Sequence, residues 1–255
     1  MGPFQAVNPE IRSDVPPYSV LARVYDHLMA HVEYEAWTDY IHAVFGTFGS
    51  GVRTVLDAGC GTGRHMQLLR ALGYETFGYD RSHAMVRLAL DRKAGPVWQG
   101  DLRAAAAGSR FDAVICLYDT VHYLEEADLP GFFRQCRMTL MPGGLLIFDA
   151  VTESFLRNQW ADYSEWGAYD GWTIYRRSRY DRRDRCQHTH IDLAHRASGR
   201  RFIEHHRQWS HPVARLRRIA VHFGFEVLGV FDSFTFDPGD ERSDRNHFIL
   251  KRGAQ

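Results

Sequence analysis

The stretch Val55-Leu56-Asp57-Ala58-Gly59-Cys60-Gly61-Thr62-Gly63 constrains the fold of this chain more than any other. An apolar run ends on an acid, and three alternating glycines follow before a helical pattern opens at Arg64. Glycines lack the Cβ that keeps a ligand off the backbone, and they take φ > 0 readily. A strand that runs through such a loop into a helix belongs to an open parallel sheet, whose carboxyl edge borders the usual ligand crevice. The spacing also selects among ligands. A dinucleotide fingerprint needs G-x-G-x-x-G with pyrophosphate on the helix N-terminus. Here the glycines fall at 59, 61 and 63, and Arg64 takes the place of the third. Asp57 beside the loop would repel a pyrophosphate but accepts from an ammonium group.

The remaining sequence suits such a sheet. Strands are predicted at 52–57, 75–80, 97–101, 111–117 and 145–151, alternating with helices at 64–72, 82–91 and 125–140. Ser82 is placed to cap the second of these, and Met141-Pro142-Gly143-Gly144 reads as the turn that ends the third. Strands alternating with helices imply a parallel sheet covered on both faces. Ahead of the sheet, Val20, Leu21, Val24, Leu28, Trp37, Tyr40, Ile41 and Val44 recur at helical steps within 18–48. Beyond Val151 the rhythm changes. Over 170–210 aromatic, branched and charged residues alternate, with a turn signal at Ala197-Ser198-Gly199, as in an antiparallel meander. A helix at 211–223 and strands at 225–231 and 247–251 close the chain.

The expected fold is therefore α/β: a Rossmann-like, seven-stranded, mostly parallel sheet with flanking helices, an N-terminal helical lid and an antiparallel β insertion. Residues 1–17, rich in proline and small or polar types, are expected to be a flexible arm. The core would comprise 18–151 and 211–255, the first of these carrying the lid, and 152–210 would be an insertion covering the substrate.

Composition narrows the function classes. With 45% hydrophobic and 24% charged residues the chain is of ordinary globular make-up, which excludes disordered and fibrous classes. No run approaches the roughly 20 apolar residues of a membrane helix, and the N-terminus lacks the basic-then-apolar pattern of a secretory signal. Cys60, Cys116, Cys136 and Cys186 form no CxxC pair, which speaks for reduced thiols in a cytoplasmic protein and against a zinc site. The formal net charge of zero argues against a dedicated nucleic-acid binder. One segment stands apart: 176–218 holds thirteen arginines, four acids and six histidines. It could clamp an anionic substrate, serve as an RNA platform, or be a solvated sheet face.

Asp80 ends the second predicted strand and Asp101 the third. A carboxylate at the first of these sites can accept both hydroxyls of a ribose, and one at the second an adenine amino group. With these motifs and the Pro142-Gly143-Gly144 turn, the chain resembles the class I S-adenosylmethionine-dependent methyltransferases over about 18–151. Within them it is similar to small-molecule N-methyltransferases, including the N,N-dimethyltransferases of nucleotide-linked amino sugars. Tyr25-Asp26, the 57–63 loop and the meander carry this narrower likeness. The resemblance implies S-adenosylmethionine as cofactor. Gly59, Gly61 and Gly63 would surround its methionine moiety, Asp57 and Arg81 would stand beside it, and Asp80 would hold the ribose. Asp101 and Leu102 would meet adenine, Leu117 would lie alongside, and Tyr25 would close over the methionine end.

Methyl transfer to a hydroxyl gains from a general base, whereas an amine need only arrive neutral. His122, in Tyr118-Asp119-Thr120-Val121-His122-Tyr123, is the candidate base with Asp119 as a possible orienting group, and Tyr25 is the second catalytic candidate. Tyr118, His206 and Trp209 are the substrate candidates. Neighbouring strand residues face opposite ways, so only one of His205 and His206 can reach the crevice. Trp160, Trp166 and Trp172 could wall a flat substrate. Convergent metal ligands are lacking, the His188-x-His190 pair standing alone. The expected function is methylation of an amine or hydroxyl on a small-molecule metabolite, by a monomer or homodimer that contacts neither membrane nor, in the main, nucleic acid. An RNA-modifying methyltransferase, a nucleotide-cofactor oxidoreductase and a non-catalytic binding module are the alternatives.

Overall fold

The computed structural model describes residues 12–49, 51–104 and 110–253. Its larger sheet has seven strands in the order β11-β12-β6-β5-β2-β3-β4. These are β2 (Thr54–Ala58), β3 (Glu75–Asp80), β4 (Val97–Gln99), β5 (Phe111–Cys116), β6 (Leu140–Val151), β11 (Phe225–Asp232) and β12 (Arg245–Arg252). β2, β3, β4, β5 and β6 pair in parallel, while β12 runs antiparallel between β6 and β11. The chain order reverses between β2 and β5, so the loops leaving both strands open onto one crevice.

Alternate side chains of the central strands enter two cores, as a sheet covered on both faces requires. On one side Val114, Leu146, Phe148 and Phe248 pack with Phe132 and Phe133 of α5 (Leu129–Thr139) and Leu216 of α7 (Val213–His222). On the other, Ala113, Ile115, Ile147 and Ile249 meet Trp37, Ile41 and Val44 of α2 (Tyr34–Phe48) and Leu69 of α3 (Arg64–Ala71). α4 (His83–Asp91) is capped by Ser82, whose Oγ accepts from the Met85 N–H at 3.3 Å.

Three expectations differ from what forms. The segment at 18–48 is broken into a 3-10 turn at Leu21–Val24, a short α1 (Tyr25–Leu28) and α2. The turn signal Pro142-Gly143-Gly144 lies inside β6: β5 pairs Phe111 with Leu140 and then Ala113 with Leu145, so these residues form a bulge with Gly143 at φ +79°. Within the supposed arm, Arg12–Val15 is strand β1, parallel to β10; residues 1–11 lie outside the described part.

The second sheet has the order β1-β10-β9-β8-β7. It joins β7 (Asp162–Tyr169), β8 (Trp172–Asp181), β9 (Cys186–His195) and β10 (Arg201–Trp209) in an antiparallel meander, reached through α6 (Glu153–Gln159). Its inner face, with Ile174, Ile191 and Leu193, packs on Val20, Leu21 and Val24. The insertion thus holds the N-terminal segment from behind.

Candidate active site

A cavity of about 590 Å³ opens where the ends of β2, β3, β4 and β5 meet the N-terminal segment. Ligand sites typically span about 300–1,000 Å³. Its floor is the glycine loop. Gly59 (φ +85°) and Gly61 (φ +53°) adopt left-handed backbone, and a Cβ on Gly59 would sit 2.4 Å from Thr120 Cγ2. Gly63 plays another part: a Cβ there would meet Ala94 at 2.8 Å and Ala89 at 3.1 Å, so it packs the start of α3 against α4 and does not line the cavity.

Asp57 is buried at the base of the loop, and its Oδ2 has no hydrogen-bond partner. Burial, then the nearby Asp80 carboxylate, raises its pKa to about 8. A buried carboxyl oxygen left unpaired costs about 1–3 kcal/mol, which a cationic donor would offset. Asp80 accepts from the Gly61 N–H at 3.0 Å and the Ser82 N–H at 2.8 Å. Burial still holds its pKa above the usual carboxylate value. Asp101 also lines the cavity, but Arg103 grips its carboxylate through Nε at 2.8 Å and Nη2 at 2.7 Å, with Arg81 3.7 Å away. Those contacts, led by the Arg103 hydrogen bond, pull its pKa down. Asp101 is therefore an ion-paired wall more than a free acceptor, beside the apolar Leu102 and Met85.

The roof comes from the N-terminal segment. Asp26 ties α1 to the loop by accepting from Thr62 Oγ1 at 2.8 Å, and it also pairs with Arg92. Tyr25 reaches the cavity and meets Tyr18 edge-on, ring centroids 5.8 Å apart. Leu117 and Tyr118 wall the side below β5. Tyr118 (φ +59°) and Asp119 (φ +64°) both take left-handed backbone without being glycine, a strain of about 1–3 kcal/mol each that collects at functional sites. An ion cluster, buried at Asp149 and half-buried at Asp119 and Arg245, holds this bend. Arg245 pairs with Asp119 at 2.6 Å and with Asp149, and its guanidinium lies over Tyr118 and Trp37. Burial pushes Asp149 up to about 7, whereas at Asp119 burial is opposed by the charges of Arg245 and His122 together with side-chain hydrogen bonds, which hold the carboxyl down.

Several expected residues stand elsewhere. His122 is buried, and main chain occupies both ring nitrogens: Nδ1 lies 2.6 Å from the Trp209 carbonyl and Nε2 accepts from the Val151 N–H at 3.0 Å. It lines no part of the cavity and is a structural tie between β6 and the end of β10. Asp119, its expected partner, is committed to Arg245. Trp209 turns away beneath Arg207, whose guanidinium is 5.3 Å from its ring. His206 is buried and His205 exposed, in keeping with strand alternation, but His206 sits one hydroxyl behind the cavity wall, 2.9 Å from Tyr123 Oη. Trp160 at the end of α6, and Trp166, Trp172 and the other residues of β7 to β10, are absent from the wall.

Residues that the sequence reading passed over complete the site: Tyr18, Tyr34, His65, Thr120 and Tyr123. His65 is buried with neither ring nitrogen partnered, against Tyr34 and Trp37, and burial lowers its pKa to about 4. Its place in sequence, next to Arg64 at the helix start, was the available signal.

Six of the thirteen arginines in 176–218 are held in ion pairs. Arg176 meets Glu165, Arg177 and Arg179 meet Asp162, Arg185 meets Glu153, Arg201 meets Asp192 and Arg215 meets Glu126. Among the described residues no group of three His, Cys, Asp or Glu side chains could hold a metal ion, and no helix is long and apolar enough to cross a membrane.

Known proteins are similar to this chain in sequence and fold. A family model described as a methyltransferase domain matches residues 55–144. YqeM of Bacillus subtilis is 29% identical over 246 residues, covering 92% of this chain and 97% of that protein. The dTDP-3-amino-3,6-dideoxy-alpha-D-glucopyranose N,N-dimethyltransferase of Streptomyces fradiae is 28% identical, with 79% and 78% covered. In fold, the chain matches the crystal structure of an S-adenosylmethionine-dependent methyltransferase from Clostridium acetobutylicum with a TM-score of 0.80 at 22% identity, covering 92% of this chain and 99% of that one.

Proposed function

Since the chain is an S-adenosylmethionine-dependent methyltransferase, we propose that its cavity takes this donor together with an amine-bearing small molecule, and that the nitrogen receives the methyl group. An amino sugar is the acceptor class favoured by the likeness to the Streptomyces fradiae dimethyltransferase. The observation that carries the reading is the unpartnered, buried Asp57 Oδ2 at the base of a Cβ-free loop, which fits the donor's ammonium group. Gly59 and Gly61 would flank the methionine part, Asp80 would hold the ribose, and Leu102 and Met85, with Asp101 and Arg81 at the rim, would border adenine. Leu117 would line the cofactor's side and Tyr25 its methionine end.

The donor, when bound, supplies a methyl group on a positively charged sulfur. The protein's own share is alignment and exclusion of water, and well-oriented reactants can gain about 7–11 kcal/mol. Tyr18, Tyr34, Tyr118 and Tyr123, with His65, would orient the acceptor, because phenols offer flat apolar faces with polar edges. Four buried free cysteines suit a reducing, cytoplasmic setting, in which we place a monomer or homodimer acting in biosynthesis.

The test is methyl transfer from labelled S-adenosylmethionine to dTDP-3-amino-3,6-dideoxy-α-D-glucopyranose and to its 3-hydroxy counterpart. Label on the amine alone, as one or two methyl groups by mass, is the expected outcome. Label confined to the hydroxy compound would overturn the amine assignment, and label entering only bulk RNA would restore the RNA-modifying reading.

A further inference from the structure

At the cavity wall, which Tyr18 and Tyr123 line, Tyr18 Oη lies 2.7 Å from Tyr123 Oη, and Tyr123 Oη lies 2.9 Å from His206 Nδ1. His206 Nε2 is in turn 3.1 Å from Glu204 Oε2. Glu204 is fully buried, and backbone N–H groups surround it. Oε2 accepts from Tyr18 at 2.6 Å, and Oε1 accepts from Val20 at 2.8 Å and Leu21 at 2.9 Å.

That crowding fixes the direction of every bond in the row. Its three backbone contacts all bring donors, the surroundings of an ionised carboxylate that only accepts. His206 must then offer Nε2–H, which leaves Nδ1 an acceptor. Tyr123 donates to Nδ1, and Tyr18 donates to Tyr123. Tyr18 and Tyr123 both line the cavity, and with each proton directed along the row the Tyr18 oxygen keeps a lone pair to accept with. Tyr18 also holds a left-handed backbone (φ +60°), pinned by its N–H on Glu204. A strained residue fastened this way marks a position that matters.

We propose that Tyr18, Tyr123, His206 and Glu204 form a proton relay that receives the proton of the acceptor substrate. The proton leaves the acceptor nitrogen for Tyr18 Oη as the Tyr18 proton passes to Tyr123 Oη and the Tyr123 proton to His206 Nδ1. Both phenols end neutral, and the positive charge rests on an imidazolium against Glu204. The freed lone pair forms the bond to the methyl carbon, and the electron pair of the broken methyl–sulfur bond stays on sulfur. The relay resets through the same hydroxyls when product leaves and water enters. Tyr18 and Tyr123 line the cavity and so act on substrate; His206 and Glu204 position them and store the proton. The burial that pushes both phenols far from ionising suits groups that pass protons without keeping charge.

This proposal rests on the cavity being the methyl-transfer site, and its test separates the two. Nitrogen NMR of ¹⁵N-histidine-labelled full-length protein reads the His206 tautomer without any substrate. The wild type should show Nε2–H with an unprotonated, hydrogen-bonded Nδ1. Tyr123→Phe should keep that tautomer and shift only the Nδ1 signal. Glu204→Gln, whose amide brings donors of its own, should switch the ring to Nδ1–H. An Nδ1–H wild type overturns the proposal, because the row would then point its donor at the cavity. With the aminodeoxyglucose nucleotide as acceptor, Tyr123→Phe should lower kcat by about 10²–10⁴-fold, the usual contribution of proton transfer. KM should change by less than about threefold, and adding Tyr18→Phe should cost little more. A loss confined to KM would make the row a structural tie. Calorimetry of S-adenosylhomocysteine on the wild type reports on the cavity separately, since lack of binding removes the site assignment and leaves the tautomer result standing.

Discussion

Asp57 is unfavourable for folding, and in the proposed site the same side chain serves binding. Its pKa of about 8 lies above the ordinary value of 3.8 because burial disfavours its charge. The sign follows from that. An acid raised in the folded state contributes its full share of stability below pH 3.8 and loses it as pH climbs through about 8. Asp57→Asn, which does not titrate, should therefore gain on the wild type between pH 5 and pH 8, by about 2–4 kcal/mol in urea unfolding. The same variant should bind S-adenosylhomocysteine at least about tenfold more weakly, since a charge-assisted hydrogen bond contributes about 1.5–3 kcal/mol. Parallel stability profiles would show that the carboxyl is not held neutral. At this scale the sequence pointed to Asp57, Gly59, Gly61 and Asp80, all of which line the cavity, because strand ends and glycine spacing are local signals. His122 misled, since its partners are main-chain groups of Trp209 and Val151 that no side-chain pattern announces. Tyr18 was hidden because its anchor, Glu204, lies 186 residues further on.

Among the elements, the turn after β2 is the most exacting. Gly59 has a left-handed backbone, and Thr120, from the loop after β5, fills the place of its Cβ. Gly59→Ala should cost about 1–2 kcal/mol for the conformation and about 1–3 kcal/mol for the overlap, read as a fall in the urea-unfolding free energy. Adding Thr120→Ser removes Cγ2 but keeps the hydroxyl that donates to the Leu117 carbonyl at 2.7 Å. That second change should restore the overlap part and leave the conformational part. Strictly additive losses would deny that the two loops touch as described. The predicted 75–80 strand coincides with β3, bounded by turn residues on both sides. The bulge at Pro142-Gly143-Gly144 was read as a turn because its strand character comes from pairing with β5, which is invisible locally. β1, four residues long, has no periodicity to display until β10 supplies its partner.

The whole molecule divides its labour between two sheets. The seven-stranded sheet gathers the loops that line the cavity at one edge, and the five-stranded sheet secures the segment that roofs them, through Glu204 and the packing of Val20, Leu21 and Val24. The insertion therefore shapes the site without lining it, which the alternating pattern at 170–210 could not disclose. Part of its arginine content is spent within the fold, since carboxylates on the same and adjoining elements engage Arg176, Arg177, Arg185 and Arg201. All of this depends on a donor seated between Asp57, the glycine loop and Asp80. Calorimetric titration of the folded chain with S-adenosylhomocysteine tests that directly. Saturable uptake of one molecule per chain at micromolar concentration, with no heat from NAD, is the result expected. A folded sample that takes up neither S-adenosylhomocysteine nor S-adenosylmethionine at millimolar concentration would contradict it.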